Sequence, residues 1–132
     1  MIREEAFRWI EEGNNDISTA RLLLENRKFS PSAFYSQQAA EKIMKGLLLA
    51  HNEVSWGHSV LSLFKMFAEA LDVDIQEIEV CARELDRHYI PSRYPDAYPS
   101  GGPSDYYTDK MAKEAFSCAQ KIKEFAEKMM DR

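Results

Sequence analysis

Apolar residues recur at steps of three and four along most of the chain, which is the spacing of an amphipathic helix. One stretch shows this clearly, because Ile75, Ile78, Ala82 and Leu85 alternate between the two steps. No stretch alternates apolar and polar residues as a half-buried strand does. The pattern predicts five helices: one over about residues 3–26, one beginning at Ser30-Pro31, one from about Val60 to Leu71, one beginning at Asp74, and one beginning between Ser104 and Lys110.

Local signals refine these helices. Ser30 is a favourable N-cap and Pro31 suits a first helical turn. Asp74 and Glu77 have the spacing of a capping box, with Asp in the usual Ser or Thr position. Gly13-Asn14-Asn15-Asp16 weakens the first helix, which indicates a bend or a close helix approach, or alternatively a polar site inside the bundle.

Short connectors favour antiparallel neighbours. We therefore predict an all-α fold, an antiparallel up-and-down helical bundle of about five helices that forms a single domain over residues 1–132. Several apolar stripes are wide and aromatic, and Trp9 and Trp56 must also be placed. Part of this surface is expected to be buried in a homodimer.

The composition is that of an ordinary globular domain, with 45% apolar and 30% charged residues. No apolar run approaches the ~20 residues of a membrane-spanning helix, and the N-terminal MIREEAFRWIEE has acids where a signal peptide needs cations followed by an apolar run. A cytoplasmic protein without a membrane partner is therefore expected. Because 22 acidic residues exceed 17 Lys and Arg, the net charge of −5 argues against a general nucleic-acid-binding surface, and DNA is not an expected partner.

The sequence contains no HExxH, CxxC or GxSxG motif and no Gly-rich phosphate loop after a strand. Cys81 and Cys118 both fall on predicted core faces. Buried free thiols are therefore expected, rather than a disulfide or a metal pair. No metal site and no cofactor are predicted.

Residues 83–107, RELDRHYIPSRYPDAYPSGGPSDYY, hold five of the six tyrosines, four of the five prolines and three arginines. These prolines are four residues apart, which no helix interior tolerates. The segment is therefore predicted to end the fourth helix and continue as an irregular loop. Loops on rigid scaffolds often carry function, so this one is the first place to look for a site.

Arg83 and His88 form the candidate catalytic pair in this segment. Histidine titrates near neutrality, and arginine can bind phosphate through two N–H groups. Together they could cleave RNA without a metal, with His88 moving a proton and Arg83 stabilising the phosphorane. The competing interpretation is an exposed pair of Glu84 with His88, which lie four residues apart on one helix face.

Neighbouring residues also have functional and structural interpretations. Arg87, Arg93 and Tyr94 could bind phosphate or a base. Tyr89 could stack on a base or simply continue an apolar stripe. Three other features are predicted to be structural: an ion pair of Glu41 with Lys45, a cap or structural hydrogen bond at His58, and an exposed helix end at His51.

Three segments in this order resemble the HEPN domain: QQAAEKIMKGLLLA at 37–50, GHSVLSL at 57–63 and LDRHYIPSRYPDAYP at 85–99. The chain is similar to small stand-alone prokaryotic HEPN proteins that are often encoded beside a minimal nucleotidyltransferase. The resemblance implies an all-α bundle, commonly dimeric, that cleaves RNA or binds nucleotides. Arg83 and His88 match the Arg-x4-6-His motif of the family. The resemblance implies that they form a metal-independent ribonuclease site between two subunits, as this motif does in many HEPN proteins.

Two functions follow from the resemblance. The first is a metal-independent endoribonuclease, the toxin of a toxin–antitoxin pair, with Arg83 and His88 catalytic and with Arg87, Arg93 and Tyr94 binding RNA or nucleotide. The alternative is a non-catalytic module that binds a nucleotide or a partner protein through the same surface. In both, the expected partners are a second copy of the chain and a minimal nucleotidyltransferase.

Overall fold

The computed structural model describes residues 2–131, with side chains from Glu4 onward. Its elements are α1 (Ile2–Glu25), α2 (Phe29–Ala50), α3 (Val60–Leu71), α4 (Gln76–Asp86), a 3-10 turn (Pro95–Ala97), the single-turn α5 (Pro103–Tyr106) and α6 (Asp109–Met129). The five longer helices are the five that the sequence predicts. The described residues contain no strand, so the all-α prediction is confirmed.

Helix α2 lies at the centre of the bundle and packs against α1, α3, α4 and α6. Its Ile43 and Leu47 are fully buried, as are Phe64 and Phe67 of α3. The Phe125 ring of α6 lies 5.2 Å from the Phe64 ring and 5.9 Å from the Phe67 ring, measured between centroids. Burying each such side chain stabilises the fold by roughly 1.5–3 kcal/mol. The predicted apolar stripes therefore meet in one core.

Helices α1 and α2 approach closely where the sequence has glycine. A Cβ built on Gly13 would lie 2.5 Å from Ile43 Cγ1 and 3.0 Å from the Ala39 carbonyl oxygen. Helix α1 continues through this region, and the predicted close helix approach is confirmed. One turn further, the buried Asp16 lies 2.8 Å from Lys42 Nζ, paired by charge rather than by a well-aligned hydrogen bond.

Two predicted helix starts are displaced. The prediction that Ser30 caps α2 is wrong, because α2 begins at Phe29 and Ser30 is buried in its first turn. Pro31 does lie in the first turn. Asp74 Oδ1 accepts a hydrogen bond of 2.9 Å from the Gln76 amide, but α4 begins at Gln76, so Asp74 stands one residue outside the N-cap.

The cysteine prediction is wrong. Cys81 of α4 and Cys118 of α6 form a disulfide, with their Cα atoms 5.0 Å apart. Both residues lie on faces that turn toward the bundle, as predicted. The disulfide forms because α4 and α6 pack against each other and bring the two positions to the same level. Sequence spacing identifies a helix face but not the level at which two faces meet.

His51 was expected at an exposed helix end, and that expectation is wrong. His51 ends α2, but it is half-buried and its Nε2 lies 2.8 Å from the Met129 carbonyl oxygen. The end of α6 therefore covers it. Within the described chain, no helix is both long and apolar enough to span a membrane.

Candidate functional site

The proline-spaced segment is ordered by its own tyrosines. The Tyr98 and Tyr106 rings stack with centroids 4.5 Å apart and planes 8° from parallel. The Tyr98 hydroxyl donates to the Pro91 carbonyl at 2.7 Å, and the Tyr106 hydroxyl donates to the Ser100 carbonyl at 3.2 Å. These contacts close the loop on itself and return the chain to α6.

His88 lies just beyond the end of α4, and its side chain is only 2% exposed. Both ring nitrogens have partners: Nδ1 lies 2.6 Å from the Tyr107 hydroxyl and Nε2 lies 3.0 Å from Glu84 Oε2. A carboxylate only accepts hydrogen bonds, so Nε2 carries the proton of the neutral ring and Nδ1 accepts from Tyr107. The imidazole is therefore held by one partner from the helix and one from the far end of the loop.

Burial sets the charge of this histidine. Desolvation lowers the pKa of His88 below its ordinary value of 6.5, although Glu84 acts in the opposite direction through its hydrogen bond and its charge. Burial also raises the pKa of the Tyr107 phenol, which keeps its proton. The pair of Glu84 with His88 is present as predicted, but His88 is enclosed rather than exposed.

The two arginines of α4 point outward. Arg83 Nη1 donates to Glu79 Oε2 at 3.1 Å, and its side chain is half exposed. Arg87, at the C-cap of α4, is 70% exposed and donates to Glu84 Oε1 at 2.9 Å. Glu84 therefore joins Arg87 to His88 with its two oxygens. Arg83 instead pairs with a residue one turn earlier on α4.

Arg93 lies among aromatic rings. Its guanidinium carbon is 4.6 Å from the Phe34 and Tyr89 ring centroids and 4.7 Å from that of Tyr94. Its Nε donates to the Tyr89 carbonyl at 2.9 Å. Tyr94 remains 45% exposed, so this arrangement leaves one aromatic ring at the surface. Cation–π contacts of this kind stabilise by about 0.5–2 kcal/mol.

A second polar cluster adjoins Tyr89, and the sequence did not predict that its residues come together. We call it the His58 cluster: Gln37, Glu41, Lys45, His58 and Tyr89. The His58 ring stacks on Tyr89, with centroids 4.7 Å apart and planes 18° from parallel. Its Nδ1 lies 3.3 Å from each carboxylate oxygen of Glu41. Glu41 is buried and also accepts from Lys45 Nζ at 3.2 Å.

Parts of this cluster were predicted. The ion pair of Glu41 with Lys45 is confirmed, and so is a structural hydrogen bond at His58. The sequence did not predict that the same carboxylate, Glu41, contacts both Lys45 and His58, because Glu41 and His58 are 17 residues apart. One signal was available, because Gln37 and Glu41 are polar residues four apart on a largely buried helix.

Asp86 holds this region to the end of α4. Its two carboxylate oxygens accept from the Ser59 hydroxyl at 2.8 Å and from the Val60 and Leu61 amides at 2.6 and 3.1 Å. Free amides and the helix dipole at the start of α3 favour an anion there. The connector that carries His58 is therefore fixed to the helix that leads into His88 and Tyr89.

Comparison with known proteins shows which proteins share this fold. A solved structure from Thermus thermophilus, TT1696, is 40% identical, with a TM-score of 0.90 over 98% of this chain and 99% of that one. An archaeal HEPN homologue, ST0689, is 34% identical, with a TM-score of 0.78 over 95% and 97%. A candidate toxin of Methanocaldococcus jannaschii is 25% identical over 128 residues, which are 88% of this chain and 82% of that protein. The family model described as the HEPN domain matches residues 6–129, and the chain therefore belongs to the HEPN domain family.

Proposed function

We propose that this HEPN protein is a toxin-like protein that acts on RNA as a metal-independent endoribonuclease. The observation that carries the proposal is the arrangement at the end of α4, where Glu84 joins the His88 imidazole to the exposed Arg87 guanidinium. A group that can transfer a proton and a group that can bind phosphate thus each contact one oxygen of the same carboxylate. The similarity to a candidate toxin supports the same function.

The reaction requires Glu84 to move. Its Oε2 lies 3.0 Å from His88 Nε2, where a substrate hydroxyl would have to approach. Its other oxygen already pairs with Arg87, so a small rotation toward Arg87 frees the imidazole. The Tyr107 hydroxyl can accept as well as donate. The His88 proton can then reside on Nδ1, and Nε2 can take the proton of a ribose 2′-hydroxyl.

The arginines then have separate roles. Arg83 and Arg87 stabilise the charge that develops on the phosphorane, while Arg93 and Tyr94 contact the phosphate or base of a neighbouring nucleotide. Arg83 acts from an exposed position on α4, which a second subunit would help to enclose. We therefore include a homodimer in the proposal, with a minimal nucleotidyltransferase as the toxin's partner.

The test is cleavage of RNA in EDTA by the purified protein. We expect products with 2′,3′-cyclic phosphate and 5′-hydroxyl ends, and no cleavage by His88→Ala. Circular dichroism and the unfolding midpoint of that variant establish that it is folded. Undiminished cleavage by folded His88→Ala removes His88 from the mechanism, and no cleavage by the wild-type protein removes the ribonuclease proposal.

A second candidate function is a non-catalytic module that binds a nucleotidyltransferase. Its support is the burial of His88, whose ring nitrogens are both occupied as in a structural histidine. Such a protein is inert alone and co-purifies with the nucleotidyltransferase. Arg93→Glu should disrupt that complex, whereas Arg27→Glu should not, although Arg27 is also an arginine stacked on a phenylalanine. Equal binding by both variants would contradict this location of the interface.

A further inference from the structure

His58 differs from the other two histidines in its exposure. Its side chain is 58% exposed, whereas His88 is 2% exposed and His51 is half-buried. No described residue forms a hydrogen bond with His58 Nε2. The ring thus presents one nitrogen to solvent from a fixed position.

The position is fixed from three sides. Nδ1 faces both oxygens of Glu41, and the ring face lies on Tyr89. The backbone is also held, because Gln37 Nε2 donates to the His58 carbonyl at 3.0 Å. A carboxylate only accepts hydrogen bonds, so Nδ1 carries a proton and Nε2 is the nitrogen directed away from Glu41. This geometry suits a group that delivers a proton through Nε2.

Arg93, to which the proposed function assigns phosphate or base binding, lies nearby. The Tyr89 ring contacts both His58, at 4.7 Å, and the Arg93 guanidinium, at 4.6 Å. The centre of the His58 imidazole and the guanidinium carbon of Arg93 therefore lie no farther apart than the sum of these two distances. A phosphodiester with its flanking sugars readily spans such a separation. Since Tyr89 follows His88 directly in the chain, the His58 cluster adjoins the end of α4.

We propose that His58 is the general acid of RNA cleavage and that Glu41 is its positioning residue. This inference rests on the proposed function, in which His88 takes the proton of the ribose 2′-hydroxyl. O2′ then attacks phosphorus, and the P–O5′ bond breaks with its electron pair on O5′. O5′ takes the Nε2 proton of the His58 imidazolium. His88 has gained one proton and His58 has lost one, and both exchange with water to complete the cycle.

A sulfur-substituted substrate tests this assignment. The probe is an RNA oligonucleotide whose 5′-oxygen at the scissile bond is replaced by sulfur, because a thiolate leaves without protonation. We expect His58→Ala to cleave ordinary RNA about a hundredfold more slowly and the sulfur-substituted RNA at nearly the wild-type rate. His88→Ala should lose activity on both substrates. Glu41→Gln should lower kcat on ordinary RNA with little change in KM, and only slightly affect the sulfur substrate.

Two variants guard against structural effects. His58→Gln keeps a hydrogen-bond donor and a similar size, and should show the pattern expected of His58→Ala even where the alanine variant folds poorly. His51→Gln removes a histidine that is bonded to the far end of α6, and should cleave both substrates at the wild-type rate.

Each outcome decides the inference. Equal losses by His58→Ala on the two substrates, or no loss on either, overturn the general-acid role while the ribonuclease function stands. Wild-type protein that cleaves neither substrate in EDTA overturns the inference and the proposed function together. Loss confined to the oxygen substrate supports both.

Discussion

The enclosed state of His88 predicts how stability changes with pH. Desolvation lowers the folded-state pKa of His88 below 6.5, the ordinary value that applies in the unfolded chain. Well above that value neither state binds a proton at His88, and the buried neutral ring is fully compatible with folding. As pH falls below 6.5, the unfolded chain takes up a proton that the folded protein resists. The free energy of unfolding must therefore decrease.

The size of the effect has an upper limit. While the folded protein stays unprotonated at His88, each pH unit below 6.5 lowers the free energy of unfolding by about 1.4 kcal/mol. Between about pH 7.5 and about pH 5.5 the loss thus approaches 1.4 kcal/mol, which is a substantial part of the roughly 5–15 kcal/mol that stabilises a domain. A smaller shift of the pKa gives a smaller loss.

Urea unfolding of the wild-type protein and His88→Gln at both pH values isolates this contribution. All other side chains are the same in the two proteins, so the difference between the two unfolding free energies reports on position 88. We expect the wild-type advantage to shrink as pH falls. A constant advantage would show that burial does not control His88. An advantage that grows at low pH would show a raised pKa, which means that Glu84 outweighs desolvation.

Three further predictions concern stability. The Cys81–Cys118 disulfide closes a sequence separation of 37, so its reduction should lower the free energy of unfolding by about 4 kcal/mol in guanidinium titrations. Two free thiols in the native, unreduced protein would contradict the disulfide. Asp86→Ala should cost about 2 kcal/mol in thermal unfolding, because three donors at the start of α3 lose their acceptor, and a cost near zero would refute that role. Gly13→Ala should cost about 1–3 kcal/mol by overpacking against Ile43, and should cost less in an Ile43→Ala background; equal costs in both would place the strain elsewhere.

The helices were predictable because their signal is local. A step of three or four residues identifies a helix face without reference to the rest of the chain. Ile75 and Leu85 were predicted to lie on the buried face at α4 on this basis, and both are buried. The same rule paired Glu84 with His88, since residues four apart are neighbours on any helix.

The rest of the site depends on contacts between segments, which spacing does not encode. Tyr107 is 19 residues from His88, and Glu41 is 17 from His58. Those contacts exist because the loop returns to α6 and because Asp86 binds the start of α3. The missed disulfide has the same origin: each cysteine was placed on the correct face, but nothing local shows that two faces meet at the same level.

The contacts of His88 also limit what its mutation can reveal. Removing the ring leaves the Tyr107 hydroxyl and Glu84 without a buried partner, and Tyr89 is the next residue in the chain. A displaced Tyr89 would move both His58 and Arg93, which rest on its ring. Lost activity in His88→Ala is therefore expected whether His88 transfers a proton or only holds the loop. His58 is exposed and can be substituted with less disturbance of the loop. Comparing the cleavage of oxygen and sulfur substrates by His58 variants therefore distinguishes proton transfer from structural support, which substitution of His88 alone does not.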